Sequence, residues 1–149
     1  METSAGCKAD VIKSLFTALV VFLYGQPVTA AVPENIASAT DDMVAALSSV
    51  QYFSPANDTA RLSNGGKILN IIAHSADTAA VLLEVAMSPS STPEGKLYAA
   101  CGLKKLSLQD MDAVFGAHLH LDVSVLRGNV LSREKFRNIY FRIRQSGCD

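Results

Sequence analysis

The sequence predicts a mainly α-helical protein, a small orthogonal bundle of five to six short helices. Apolar residues recur at three- and four-residue spacing, and Ser, Thr and Asp stand where helices would begin. Hydrophobic residues make up 49% of the chain and Trp is absent, so the core must be built mostly from Ala, Leu, Val and Ile. Such a core suits closely packed helices. One short extended segment is predicted near residues 121–126, where β-branched residues alternate with other types.

The first three helices are predicted from caps and apolar spacing. The first begins at residues 40–42, where acidic side chains complement the helix dipole, and it ends near Gln51. Its apolar positions are Met43, Ala46, Leu47 and Val50. The second is predicted over residues 67–73, after an Asn-Gly-Gly break. The third is predicted over residues 78–87, and because it is apolar on nearly every face we expect it to be buried.

Thr92 and Pro93 give the clearest helix start in the chain, since Thr caps helix N-termini and Pro fits the first helical position. This fourth helix is predicted to end near Lys105, with Leu97 and Cys101 on one apolar face.

Two more helices are predicted toward the C-terminus. Ser107 is expected to begin the first, whose apolar stripe contains Met111, Val114 and Phe115. The second is predicted over residues 132–146, with Ser132 as its N-cap and Gly147 as its stop. A strand-like alternation competes in this last segment, but the two terminal signals favour a helix.

The first 30 residues have the layout of a secretory signal peptide. Lys8 and Lys13 precede the apolar run 15–23, and the small residues 28–30 follow a proline. We expect cleavage between Ala30 and Ala31, which leaves residues 31–149 as a single helical domain in the periplasm or outside the cell. The alternative is a membrane anchor formed by residues 11–32, which would be the chain's only contact with a membrane.

The charge balance argues against nucleic acid as a partner. The chain has 13 basic and 14 acidic residues, and removing the leader leaves the formal charge at minus one. Phosphate binding requires a concentrated basic surface. The basic residues of the C-terminal segment are predicted to form a solvated helix face. They are Arg133, Lys135, Arg137, Arg142 and Arg144.

Cys101 and Cys148 are the two thiols that remain after export. An oxidising compartment and an even cysteine count favour a disulfide between them. The alternative is a buried Cys101 thiol with Cys148 at a frayed C-terminus.

The best metal-ligand candidates are His118, His120 and Asp122, because alternate residues of an extended segment point to one face. Polar residues at a helix end explain the same pattern, and we predict no metal and no other cofactor. Motifs typical of hydrolases, zinc proteases and phosphate-binding loops do not occur in the sequence. We therefore expect that the protein is not an enzyme.

Residues 91–103, Ser-Thr-Pro-Glu-Gly-Lys-Leu-Tyr-Ala-Ala-Cys-Gly-Leu, resemble a motif of uncharacterised exported bacterial proteins that contain HEAT-like helical pairs. Residues 123–129 and the segment up to Gly147 look like the C-terminal portion of the same proteins. The resemblance implies an exported, HEAT-like helical fold and brings no activity with it.

The expected function is that of an interaction module of the periplasm or cell envelope, with another protein as its partner. One alternative is a structural envelope protein without a specific ligand. The other is weak metal binding through His118, His120 and Asp122. A large exposed apolar patch or an acidic groove would favour the interaction module, whereas an evenly polar surface would favour the structural protein.

Overall fold

The computed structural model describes residues 34–55 and 63–148, which form six α-helices, one 3-10 turn and a two-stranded sheet. The helices are α1 Glu34–Ser48, α2 Asn64–Ile72, α3 Thr78–Met87, α4 Pro93–Lys105, α5 Met111–Phe115 and α6 Phe136–Ser146. The 3-10 turn Gly116–His118 precedes strands β1 Asp122–Arg127 and β2 Val130–Lys135. The mainly helical class is therefore confirmed, and the predicted extended segment corresponds to β1.

The predicted signal peptide, its cleavage position at Ala30 and Ala31, and the alternative anchor over residues 11–32 lie outside the described residues. Among the helices of residues 34–55 and 63–148, none is both long and apolar enough to cross a membrane.

Helix α4 is the centre of the fold, because it contacts each of the other five helices and strand β1. Its residues from Glu94 to Leu103 are all buried. Small residues allow this close packing. A Cβ atom added at Gly95 would collide with the backbone of Leu47 in α1, and one added at Gly102 would collide with Leu82 in α3.

The start of α4 confirms the predicted cap. The Thr92 hydroxyl accepts a hydrogen bond from the Gly95 N–H at 3.1 Å and donates one to the Val50 carbonyl at 2.7 Å. Pro93 occupies the first helical position. The same side chain therefore caps α4 and ties it to the residues that follow α1.

The end of α4 explains why the predicted role of Ser107 is wrong. Ser107 has φ 59°, and its N–H donates to the Lys104 carbonyl, while the Leu108 N–H donates to the Leu103 carbonyl. This is the bonding pattern of a Schellman motif, which usually places Gly at the left-handed position. Ser107 thus terminates α4, and the short helix α5 begins only at Met111.

Strands β1 and β2 form an antiparallel hairpin in which Arg127 pairs with Val130. Gly128, with φ 57°, takes the first position of the two-residue loop, where a positive φ is required. Across the strands, Lys135 pairs with Asp122 at 2.7 Å.

The prediction of a helix from Ser132 is therefore wrong, because residues 130–135 belong to β2. The helix begins at Phe136, and from that point the apolar spacing is helical as expected. Its buried positions are Phe136, Ile139, Tyr140 and Ile143, and Gly147 follows its last residue with φ 81°. Arg133 and Lys135 consequently lie on a strand, and only the three later arginines of the basic group lie on a helix.

The first two helices begin earlier than predicted. Residues 40–42 lie inside α1, where Asp41 and Asp42 are exposed, and α1 ends at Ser48. Helix α2 includes the two glycines that the sequence suggested as a break. Its N-cap is Ser63, whose hydroxyl accepts from the Gly66 N–H. Helix α3 has the predicted bounds, but only one side of it is buried, through Val81, Leu82, Val85 and Ala86.

Candidate functional site

Helices α2 and α4 approach each other closely at Gly65. A Cβ atom added there would overlap the ring of Tyr98, so the absence of a side chain lets the aromatic ring lie against the α2 backbone. The Tyr98 ring also packs against Phe53, with the ring centroids 4.9 Å apart. These contacts place Tyr98 of α4 against both α2 and the segment that contains Phe53.

The Tyr98 hydroxyl is fully engaged by its neighbours. It accepts a hydrogen bond from the Ser54 N–H at 2.9 Å and shares a 2.6 Å hydrogen bond with the Ser63 hydroxyl. Burial raises the pKa of Tyr98, and the hydrogen bonds from Ser63 and Ser54 act in the opposite direction. The side chain therefore remains a neutral phenol near pH 7 and is a fixed part of the wall.

A cavity of about 190 Å³ lies beside this tyrosine, between α2 and α4, and it opens to the surface. Its wall is largely apolar. Its apolar lining includes Phe53, Leu69, Leu82, Tyr98, Cys101 and Leu106. Leu106 stands at the rim and is 49% exposed.

Three hydroxyl groups of the wall are already hydrogen-bonded within the protein, and the wall also contains the polar side chains of Asn70 and Lys105. The Thr78 hydroxyl donates to the carbonyls of Ile72 and Ser75 at 2.8 Å each. The Ser63 and Tyr98 hydroxyls bond each other. A ligand that enters the cavity therefore meets mostly apolar surface.

The cysteine pair forms another part of the wall. Cys101 and Cys148 lie at disulfide distance, with their Cα atoms 5.7 Å apart. Cys101 is buried in α4, and Cys148 lies just after α6. Through this pair the end of the described chain is held against the cavity.

The size of the cavity indicates what it can accept. An apolar cavity of roughly 150 Å³ accommodates a benzene-sized ring, so about 190 Å³ is enough for one ring or one branched aliphatic group. The cavity therefore has room for one small apolar group.

A buried cation, Lys96, lies on another side of α4 and is only 3% exposed. Its ammonium group donates to the carbonyls of Ala86 at 2.7 Å, Ser88 at 2.6 Å and Val85 at 3.5 Å. Burial lowers the pKa of Lys96. The three carbonyls at the C-terminal end of α3 supply the partners that a buried ammonium requires, so this lysine acts as a C-cap.

Glu94 is the second buried charged residue, with 7% exposure. Its Oε1 atom accepts a hydrogen bond from the Ser124 N–H at 2.6 Å. The carboxylate lies in the first turn of α4, where the helix dipole favours a negative charge. It joins α4 to strand β1.

The three candidate metal ligands do not converge. His118 ends the 3-10 turn with its ring 6.3 Å from that of Phe136, whereas His120 is exposed and Asp122 pairs with Lys135. The ion pair with Lys135 holds the pKa of Asp122 below its ordinary value. Within residues 34–55 and 63–148, no group of three or more His, Cys, Asp or Glu side chains is arranged to hold a metal ion.

His118 instead lies near the buried lysine. Burial lowers its pKa, the positive charges of Lys96 and His120 act in the same direction, and the Ala86 backbone opposes them. Neutral imidazole is therefore the favoured form of His118 in the folded protein near pH 7.

The sequence analysis singled out Cys101 and Cys148, but it did not identify the cavity beside them. It also missed the buried state of Lys96. The available signal was weak: Lys96 lies one turn after a well-defined helix start and shares no face with another charge. Only the packing of α3 against α4 places carbonyl groups around it.

Comparisons of the chain with protein-family models, with curated proteins and with solved structures find no match.

Proposed function

We propose that the protein is an exported, non-enzymatic interaction module that binds an apolar side chain of a partner protein in the cavity between α2 and α4. The observation that carries this proposal is the cavity itself. It is open, its volume is about 190 Å³, and its wall is largely apolar. An apolar anchor in a pocket of this kind is a common source of binding energy in protein interfaces.

The surroundings of the cavity support a protein as the source of that group. Leu106 lines the cavity and is 49% exposed, and Ala73, just after α2, also lines it and is exposed. A partner that inserts one side chain would also cover apolar surface around the opening. This combination of a filled pocket and a covered rim is typical of protein interfaces.

Export is part of the proposal and rests on two observations. The first 30 residues have the charge and apolar pattern of a signal peptide, and Cys101 lies at disulfide distance from Cys148. Disulfides persist in oxidising compartments. The HEAT-like character implied by the 91–103 motif also belongs to this proposal, with α3 and α4 as the helical pair.

The site can be tested without a known partner. Titration of ¹⁵N-labelled protein with indole, a ring-sized apolar probe, should shift the amide signals of cavity residues such as Leu69, Cys101 and Gly102. Substitution Ala73→Trp places a ring over the opening, since Ala73 lines the cavity and is exposed. The matched control is Ala80→Trp, on the exposed side of α3 and away from the cavity.

The partner is then sought with the same variants. Tagged wild-type protein purified from its native envelope should retain one stoichiometric protein that Ala73→Trp loses and Ala80→Trp keeps. A partner that all three forms retain equally would place the interface elsewhere. Failure of indole to shift cavity residues, together with the absence of a stoichiometric partner, would favour a structural protein without a ligand.

Mass spectrometry of the exported protein tests the leader, and an N-terminus near Ala31 is the expected result. Intact residues 1–30 in a membrane fraction would support the anchor instead.

A further inference from the structure

The two edges of the β1–β2 hairpin differ in how their backbone groups are used. On the outer edge of β1, the Phe53 N–H donates to the Ser124 carbonyl and the Leu126 N–H donates to the Phe53 carbonyl, each at 2.8 Å. The Ser124 N–H is bound by Glu94. The outer edge of β1 is therefore closed by the neighbouring segment and by α4.

The strand register shows which backbone groups β2 presents on its own outer edge. Ser124 and Leu126 direct their N–H and carbonyl groups away from β2, toward Phe53. Their cross-strand neighbours are Arg133 and Leu131. In an antiparallel pair, two residues that lie opposite each other either both direct their backbone N–H and carbonyl groups toward the partner strand or both direct them outward. Leu131 and Arg133 thus direct theirs outward, where no described part of the chain accepts or donates to them.

The side chains along this edge are exposed and chemically distinct. Val130 is 67% exposed and Leu131 is 63% exposed. Arg133 is exposed too, and no carboxylate in the described part of the chain lies within ion-pair distance of it. Its strand neighbours differ, because Glu134 pairs with Arg127 and Lys135 pairs with Asp122.

Leu131 and Arg133 lie on the same face of β2, since they are two residues apart. A strand added to this edge would place its own side chains directly opposite them. A carboxylate on the added strand would complement the charge of Arg133. An apolar residue two positions along that strand would pack against the exposed Leu131. A second copy of β2 would instead bring its own arginine and lysine to this edge, which like-charge repulsion disfavours.

We propose that the outer edge of β2 binds an extended segment of a partner protein as a third strand, with an acidic residue opposite Arg133 and an apolar residue opposite Leu131. The backbone groups of Leu131 and Arg133 supply the hydrogen bonds, and the two side chains supply selectivity. This site is separate from the α2–α4 cavity and does not depend on it.

The test uses the full chain and a synthetic peptide as the probe, acetyl-Thr-Thr-Glu-Thr-Val-Thr-Thr-amide. Titration of ¹⁵N-labelled protein should shift the amide signals of Leu131 and Arg133 in a saturable way and slow their hydrogen exchange. The control peptide has Lys in place of Glu, and we expect it to bind about two- to fivefold more weakly, the range of an exposed ion pair.

Two variants separate the backbone from the charge. Leu131→Pro removes an outward N–H that β1 does not use, so the hairpin is retained while binding weakens about three- to tenfold. Arg133→Glu should reverse the preference between the two peptides. Arg137→Glu, an equal charge change at an exposed position of α6, is the matched control and should leave the preference unchanged. The cavity variant Ala73→Trp should also bind the Glu peptide as the wild type does.

Several results would overturn the proposal. They are the absence of a saturable shift, shifts confined to other residues, an unchanged peptide preference in Arg133→Glu, or protection of the β2 edge that arises from self-association alone. If Leu131→Pro does not fold, the preference of Arg133→Glu and the exchange rate of the Arg133 amide decide the question.

Discussion

Helix α4 and the segment from Asp122 to Ser146 differ in what fixes their structure. The start of α4 is determined by two adjacent residues that both favour a helix N-terminus. In the structure Thr92 is the N-cap and Pro93 takes the first helical position. The later segment contains a strand whose partner lies across a turn. The Ser132 cap signal predicts that its residues 132–135 start a helix, but they pair with β1 instead.

The two regions also differ in burial. Every residue of α4 from Glu94 to Leu103 is buried, whereas Val130 and Leu131 of β2 are largely exposed. A buried element is held by many neighbours, and an edge strand is held on one side only. We therefore expect substitutions in α4 to affect stability and substitutions at the β2 edge to affect binding.

The Cys101–Cys148 pair links α4 to the chain just after α6, so breaking it should have the largest effect. Reduction, or the double substitution Cys101→Ser/Cys148→Ser, should lower the free energy of unfolding by about 4 kcal/mol on chain-entropy grounds, less any strain that is relieved. Urea denaturation with and without reductant measures this difference. Free thiols at both positions in protein taken directly from its host would contradict a native disulfide.

Leucines in the two regions offer a direct comparison. Leu97 is 0% exposed, and Leu97→Ala should cost about 2–5 kcal/mol because it leaves a cavity. Leu131→Ala should change stability by less than about 0.5 kcal/mol, since the side chain is at the surface. Both values come from urea denaturation, and equal losses at the two positions would show that β2 is covered in the folded protein.

The buried ammonium of Lys96 should contribute through the carbonyls it binds. Lys96→Met keeps much of the apolar stem but removes the ammonium donor from the carbonyls at the end of α3, and we expect a loss of about 1–3 kcal/mol. Lys67→Met, at an exposed position of α2, is the control. A neutral effect at Lys96 would mean that water replaces the ammonium group.

The two predicted caps should respond differently to removal of their hydroxyls. Thr92→Ala removes a confirmed cap and a hydrogen bond to Val50, so about 1–2 kcal/mol should be lost. Ser132 lies in β2, and its hydroxyl makes only a 3.4 Å bond to the Val125 carbonyl. Ser132→Ala should therefore change stability by less than about 0.5 kcal/mol in thermal unfolding. The reverse order would restore Ser132 as a helix cap.

The smallest expected effect is the pH dependence caused by His118. Its pKa in the folded protein is lowered from the ordinary value of 6.5, so the unfolded chain takes up the proton first as the pH falls. The stabilisation is present above pH 6.5 and is lost on acidification through the folded-state pKa. Because His118 is partly exposed, we expect the loss to be below about 1 kcal/mol.

Unfolding measurements between pH 7.5 and about pH 5 test this sign. The variant His118→Gln should flatten the profile. A profile in which stability rises on acidification would contradict the lowered pKa.

Sequence analysis could predict only part of the candidate site. The position of α4 and the pairing candidates Cys101 and Cys148 follow from local patterns and cysteine count. The cavity does not, because it depends on Gly65 letting Tyr98 lie against α2 and on Phe53 closing one side. When the residue that packs against it is unknown, a pair of glycines in the sequence suggests a break between helices.

The sequence by itself determined the helical class, the bounds of α3, the cap of α4, the apolar face of α6 and its stop at Gly147. These features depend on interactions between residues a few positions apart, such as caps and apolar spacing. Tertiary structure alone decided that residues 130–135 pair with β1, that Ser107 ends α4, that Lys96 is buried, and that a cavity forms beside Tyr98. Each of these depends on groups from separate elements, and the free energy that selects them exists only once those elements pack together.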